Sequence, residues 1–126
     1  MRIYISGPMT GLKDLNKPAF YAKERQLREL QYNNVKNPAH IEGLVGAGKP
    51  YAAYFAVAVK WLLECDALVY VDAQYPLLSK GCYTETLLAE GLGMPLLFCR
   101  PDGLYKVLRD KITLIIAEKT DNPLLF

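Results

Sequence analysis

The carboxylate of Glu85 is the group best placed to do chemistry. It lies in a predicted helix from Gly81 to Gly93. The residues on the same helical face are apolar: Leu88, Ala89 and Leu92. Burying a carboxylate on a core-facing surface costs free energy unless the group has a partner or a functional role. Glu85 is therefore a candidate catalytic residue. The alternative is a partly exposed flank position or a structural salt bridge.

A second acid, Asp72, stands at the end of the predicted strand Ala67–Val71. In doubly wound sheets, ligands bind beyond the carboxyl ends of the strands. We therefore expect Asp72 to face Glu85 across a pocket, where two carboxylates in different environments can divide the roles of nucleophile and proton donor. The alternative is an ordinary aspartate in a turn after a strand.

Two glycine-containing turns supply candidate ligand contacts. The turn after the first strand contains Ser6, Gly7, Pro8 and Met9. Its glycine permits close backbone approach, and its N–H groups are suited to an anion. Ser79 and Gly81 stand where a helix begins, and such N-termini favour phosphate. The alternatives are a simple turn and a serine N-cap, and neither segment is a GxGxxG or Walker A motif.

The sequence does not indicate a metal site or a disulfide framework. His40 is the one histidine, and the three cysteines, Cys65, Cys82 and Cys99, are widely spaced with no CxxC pair. A GxSxG nucleophile motif is also absent. We expect a reduced, cytoplasmic protein that uses neither a metal nor a cofactor.

Composition limits the class of protein. The chain has 126 residues, 52% hydrophobic and 22% charged, with a net charge of +2. This length and balance predict one domain over residues 1–126, with a buried core. The charge is too small to argue for a nucleic acid polymer, and no stretch is long enough to span a membrane.

The elements that must position these residues alternate along the chain. Predicted strands are Arg2–Ser6, Val35–Asn37, Ala67–Val71, Pro95–Cys99 and Ile112–Ala117. The first predicted helix is capped by Asn16 and ends before Asn33. The other predicted helices are Pro50–Glu64, Gly81–Gly93 and Leu104–Arg109, and Ile41–Lys49 is predicted to be a loop. The alternation predicts a single flavodoxin- or Rossmann-like α/β domain: a five-stranded parallel sheet with helices on both faces.

The segment Tyr51–Leu63 is apolar nearly all round. A helix of that kind is buried on more than one side. In so small a domain the sheet covers one side only. We therefore expect the other side to pack on a second subunit, which predicts a homo-oligomer.

Three segments together resemble the nucleoside 2-deoxyribosyltransferase superfamily: YISGPM, ECDALVYVD and SKGCYTETLLAEGLGMP. Within it, the chain is similar to a small branch from bacteria and their phages that is described only as a domain of unknown function. That branch carries the start found at Tyr4–Gly11, the segment Leu62–Ala67, and a final Ser-x-Gly-x-x-x-Glu motif. The resemblance covers about the first hundred residues.

The resemblance implies a flavodoxin-like fold, an oligomer with sites near subunit contacts, and cleavage or transfer of an N-glycosidic bond. The substrate class is a nucleoside or a nucleoside 5′-monophosphate. The resemblance implies that Glu85 matches the glutamate that attacks the anomeric carbon. It also implies that Ser79 matches the serine that contacts the 5′-phosphate. Ser6 to Met9 become pocket residues, and Asp72 matches an acidic position in the transferases.

One departure from the family pattern leaves two functions open. Relatives commonly carry a polar pair, often Arg-Asp, that helps with the base or the proton, where this chain has Val57 and Ala58. Either Asp72 has taken over the acid role, or the protein is a non-catalytic binder that senses or sequesters a nucleotide. A purely structural, oligomer-forming role leaves the pocket motifs unexplained.

Overall fold

The computed structural model describes residues 1–9, 13–71 and 80–107. A five-stranded sheet has the order β2-β1-β3-β4-β5. The strands are β1 (Arg2–Ser6), β2 (Asn34–Lys36), β3 (Ala67–Tyr70), β4 (Leu96–Arg100) and β5 (Gly103–Lys106). The helices are α1 (Lys17–Glu29), α2 (Ile41–Val45), α3 (Tyr51–Leu63) and α4 (Lys80–Gly91), with 3-10 turns at Lys13–Asn16 and Pro38–His40. The predicted α/β class is confirmed, and α2 lies where a loop was expected.

The sheet is mixed, which corrects the all-parallel prediction. Strands β1 to β4 pair in parallel, but β5 runs antiparallel to β4. The predicted helix at Leu104–Arg109 is wrong, because Gly103–Lys106 forms this strand. Arg100 pairs with Gly103, so only two residues connect the strands, too few for a crossover helix. The predicted strand Ile112–Ala117 lies outside the described residues.

Cross-strand packing explains why the β5 segment is extended. The rings of Phe98 and Tyr105 are stacked, with centroids 5.6 Å apart. The guanidinium of Arg100 lies 5.1 Å from each of the two ring centroids. These contacts join residues on two strands, so local helical periodicity does not reveal them.

Side chains of β1 alternate between the two faces of the sheet. Ile3 and Ile5 are buried in a core with Phe20 and Leu27 of α1. Tyr4 is buried in a second core, on the other face, formed largely with residues of α3 and α4. Because residues two apart on a strand share a face, Ser6 lies on the same side as Tyr4. Helices therefore cover both faces, as predicted.

The start of α1 departs from the expected cap. Asn16 precedes the helix but makes no side-chain cap hydrogen bond. Its amide Nδ2 donates instead to the carbonyl of Pro8, 2.9 Å away. Asp14, Leu15 and Asn16 have φ values of 52°, 53° and 58°, in the left-handed region. The Asn16 side chain thus ties this left-handed turn to the segment after β1.

Helix α3 is only partly covered by the rest of the chain. Its two buried residues are Ala58 and Leu62, whereas Tyr51 and Leu63 are 54% and 55% exposed. Ala52 and Ala56 are exposed as well. Among the helices that the structure describes, none is long and apolar enough to cross a membrane.

Candidate functional site

A cavity of about 400 Å³ opens beyond the carboxyl ends of β1 and β2. Gly7 and Met9 follow β1, and Pro38, Ala39 and Ile41 follow β2. The other walls come from the segment before α1 and from helices α3 and α4, including Leu15, Lys17, Tyr51, Tyr54, Phe55, Ala58, Gly81, Cys82 and Glu85. The location agrees with the general rule for ligand sites in α/β sheets.

Glu85 reaches this cavity from α4, and its carboxylate is held by two hydroxyl groups of β1. The hydroxyl of Tyr4 donates to Oε2. Oγ of Ser6 donates to Oε1 over 2.7 Å. Glu85 is only 5% exposed, and both hydroxyl-bearing residues are fully buried. Two donors on the two carboxylate oxygens fix the orientation of the group.

Burial changes the acidity of this carboxyl group. It raises the pKa of Glu85 from 4.5 to about 7, against the opposing effect of the hydrogen bonds from Tyr4 and Ser6. Burial, together with the negative charge of Glu85, raises the pKa of Tyr4 well above its ordinary value. Tyr4 therefore stays protonated and acts as a donor, while Glu85 is divided between its acid and its carboxylate near neutral pH.

Contacts on the inner face of α4 hold the helix in the rotation that this site requires. Thr86 Oγ1 donates to the carbonyl of Cys82 over 2.9 Å. Because that bond uses the only hydroxyl proton of Thr86, the hydroxyl of Tyr70 donates to Thr86 across 2.6 Å. Cys82 Sγ lies 3.4 Å from Ser6 Oγ. These contacts join α4 to β3 and β1, so Glu85 faces β1.

The two glycines of the predicted contact motifs serve close packing. A Cβ on Gly7 would lie 2.9 Å from Cβ of Val71, at the end of β3. A Cβ on Gly81 would lie 2.7 Å from the hydroxyl oxygen of Tyr51, on α3. Gly7 lets the ends of two strands approach each other, and Gly81 lets a phenol lie against the start of α4.

We expect Gly7→Ala to lower the free energy of unfolding by about 1–3 kcal/mol, because Val71 is β-branched and leaves the new methyl no room. Chemical denaturation of the two proteins measures the difference. Gly43→Ala is the matched control, since its Cβ would meet nothing within 4 Å and it lies in α2. That variant should be as stable as the parent or slightly more stable. Equal losses at both positions would contradict the packing role of Gly7.

Charged groups stand at the wall formed by α1, α2 and the residues before α3. Lys17 Nζ and Glu42 Oε2 form an ion pair at 3.4 Å. Lys49 also lines the cavity and is exposed. The side of α3 that contributes Phe55 and Ala58 is apolar. The cavity therefore joins an apolar wall to a charged one.

The predicted site residues fall into three groups. Gly7, Met9, Gly81 and Glu85 line the cavity together. Ser6 and Pro8 are buried; Ser6 donates to Glu85, and the carbonyl of Pro8 accepts a hydrogen bond from Asn16. Asp72 and Ser79 lie outside the described residues, so their predicted roles stay predictions.

Tyr4, Cys82 and Tyr51 line the cavity but were not among the predicted site residues. Tyr4 had a usable signal, since it stands two positions before Ser6 on a strand and must share its face. Tyr51 and Cys82 are brought to the cavity by the packing of α3 and α4, which local sequence does not encode. In the position of the expected polar pair, Ala58 lines the cavity and Val57 is half-buried.

Metal-ligating groups are not clustered in this part of the protein. Within the residues that the structure describes, no three or more of His, Cys, Asp and Glu lie together so that they could hold a metal ion. The three cysteines are buried and free of disulfides. The described cavity is lined by one thiol and two lysine amino groups as well as by carboxyl and tyrosine hydroxyl groups.

Comparison with known proteins gives one match. The model of a family described as a domain of unknown function (DUF4406) matches residues 1–98. No curated protein and no solved structure matches the chain significantly. The matched segment covers β1 to α4 and most of β4, and thus every described residue that lines the cavity. Because the match extends over well more than half of the chain, the protein belongs to this DUF4406 family.

Proposed function

We propose that this protein cleaves or transfers the N-glycosidic bond of a nucleoside or nucleoside 5′-monophosphate, with Glu85 as the nucleophile. The observation that carries the proposal is a buried carboxyl group that lines a ligand-sized cavity and is oriented by two hydroxyl donors. The kinship with nucleoside 2-deoxyribosyltransferases, suggested by the sequence motifs, is part of the same proposal. A site of 400 Å³ has the volume typical of small-molecule pockets.

The proposed reaction has two steps. The ionised oxygen of Glu85 attacks the anomeric carbon and forms a C–O bond, while the C–N bond breaks and its electron pair moves to the base. The base then takes a proton from solvent. In the second step, water attacks the anomeric carbon, returns the carboxylate and loses a proton; in a transferase, a second base attacks instead. The donors Tyr4 and Ser6 orient Glu85 in both steps.

The second candidate is a binder of the same ligand class that performs no chemistry. Two observations favour it. Both oxygens of Glu85 are already engaged by hydroxyl groups. The wall at Ala58 is apolar where the family pattern has a polar pair. Such a protein would sense or sequester a nucleotide and release no base.

The experiment that separates the two candidates is incubation with a panel of ribo- and deoxyribonucleoside 5′-monophosphates and deoxynucleosides, with chromatography for free base. Glu85→Gln runs beside it, and Glu29→Gln, an exposed glutamate on α1, is the matched control. Base release that is lost only in Glu85→Gln supports the glycosidic reaction. Thermal stabilisation without base release supports the binder. Release that survives in Glu85→Gln overturns the role of Glu85.

We also propose that the uncovered side of α3 packs on a second copy of the chain in the cytoplasm, as the apolar sequence of this helix predicts. We expect Ala56→Glu, which places a charge on that exposed side, to convert the oligomer to a monomer that keeps the circular dichroism spectrum of the parent fold. Light scattering after size exclusion measures the mass. Arg25→Glu, at an exposed position of α1, is the control that keeps the oligomer. A wild-type monomer would refute this proposal.

A further inference from the structure

The hydroxyl groups that line the cavity differ in whether they are already engaged. Three tyrosines supply hydroxyls there: Tyr4, Tyr51 and Tyr54. The hydroxyl of Tyr4 donates to Glu85. The hydroxyl of Tyr54 donates to the carbonyl of Gly46 over 2.6 Å and accepts from the backbone N–H of Lys49. Among the described residues, the hydroxyl of Tyr51 has no hydrogen-bond partner.

The position of Tyr51 brings this unengaged hydroxyl to the start of α4. Its oxygen lies 2.7 Å from the point that a Cβ on Gly81 would occupy. Glu85 is one helical turn further along α4, and its negative charge acts on the phenol of Tyr51. The hydroxyl and the carboxylate thus stand on one wall of the cavity, one turn of helix apart.

The surroundings of Tyr51 favour a flat ring as the ligand group. The rings of Tyr51 and Phe55 are stacked with an interplanar angle of 15° and centroids 5.5 Å apart. Both rings line the cavity, beside the apolar side chain of Ala58. Partial burial and Glu85 raise the pKa of Tyr51, so the phenol stays protonated at neutral pH. It is therefore a hydrogen-bond donor with no acceptor in the described part of the chain.

We propose that Tyr51 is the residue that recognises the base: its hydroxyl donates a hydrogen bond to an acceptor atom on the heteroaromatic ring. The inference deepens the proposed glycosidic function and depends on it for the identity of the ligand. As the C–N bond breaks, its electron pair moves onto the ring, and the hydrogen bond from Tyr51 stabilises the charge that develops there. The base still takes its proton from solvent.

A pair of substrates tests this role. One is the nucleotide or nucleoside of the panel that releases its base fastest. The other is the 4-nitrophenyl glycoside of the same sugar, whose leaving group departs as an anion without help from a donor. We expect Tyr51→Phe to lower kcat/KM for the natural leaving group by about 10- to 100-fold, and for nitrophenyl by less than about twofold. An equal loss on both substrates, or no loss on either, overturns the proposal.

A second variant reaches the same hydroxyl without altering Tyr51. The methyl group of Gly81→Ala would push the phenol oxygen away, since that oxygen is the far end of a half-exposed side chain. Gly81 is the second residue of α4, where alanine is a better helix former than glycine, so we expect unchanged or slightly higher thermal stability. The same selective loss on the natural leaving group supports the inference. Full retention of activity on that substrate counts against it.

The outcomes separate this inference from the glycosidic function itself. If wild type releases bases and Tyr51→Phe releases them equally well, the inference fails and the proposed function stands. If wild type releases no base, the glycosidic function fails, and calorimetric binding of the same nucleotides decides the inference. A dissociation constant about tenfold higher in Tyr51→Phe then supports it. Equal affinity, or no binding by wild type, overturns it.

Discussion

Replacing Glu85 with glutamine should lower the rate of base release by a factor of at least about 10³, since the amide cannot form the glycosyl ester. Glutamine has nearly the same shape: its oxygen accepts from one of the two hydroxyls, of Tyr4 and Ser6, and its NH2 group donates to the oxygen of the other. The loss therefore reports the missing nucleophile rather than a collapsed site. Initial rates from chromatography of the released base measure it.

The pH profile of the wild-type protein gives this prediction a second readout. Only the ionised carboxylate is a nucleophile, and burial holds the pKa of Glu85 at about 7. We therefore expect kcat/KM to rise with pH and to level off above about pH 7. Mass spectrometry of a quenched reaction should find the sugar on the peptide that contains Glu85. A flat profile with full activity in Glu85→Gln would assign the chemistry to another group.

The free energy of unfolding of the ligand-free protein should fall as the pH rises from 5 to 8. The contribution of Glu85 alone to this loss is on the order of 2–3 kcal/mol. The pKa of this residue is about 7 when folded, against an ordinary value of 4.5. Between those values the folded state holds a proton that the unfolded state has released. The contribution is thus fully present below about pH 4.5 and is lost as the pH rises through about 7.

Denaturant unfolding of wild type and Glu85→Gln at pH 5 and pH 8 isolates this contribution. The variant cannot titrate at position 85, so its stability should depend less on pH than that of wild type by the predicted amount. Other shifted carboxyl groups do not interfere: hydrogen bonds lower the pKa of Glu24 and Asp66, and both groups are unchanged in the two proteins. Parallel pH dependences would show that Glu85 is not desolvated in solution.

The local elements were largely predictable, because each has a strong short-range signal. Strand β1 agrees with its prediction residue for residue, and α3 does so within one residue at each end. The error at Gly103–Lys106 has a physical cause. This four-residue strand is stabilised by its antiparallel pairing with β4. In addition, Tyr105 packs with Phe98 and Arg100, which lie outside the segment.

In the candidate site, too, some residues were predictable from the local sequence and others were not. Glu85 was predictable because it shares a helical face with Leu88 and Ala89, and it is 5% exposed. Leu92, which was predicted to face the core with them, is 57% exposed, because α4 ends at Gly91 rather than at Gly93. Its partners were not predictable in the same way. Tyr4 and Ser6 stand some 80 positions away along the chain, with separations of 81 and 79 residues. Only the packing of α4 on the face of the sheet that contains Tyr4 brings these groups together.

The sequence by itself determined the α/β class and the parallel strands β1 to β4. It also indicated that Glu85 is a carboxylate on a core-facing side of its helix and therefore a candidate functional residue. Periodicity and turn residues act over a few positions, so these features are encoded locally. The tertiary structure alone decided that β5 reverses direction, that Tyr4 and Ser6 hold Glu85, and that the hydroxyl of Tyr51 lies against Gly81. Those outcomes depend on which faces of distant elements pack together, and that choice is made by burial of the whole core rather than by any single segment.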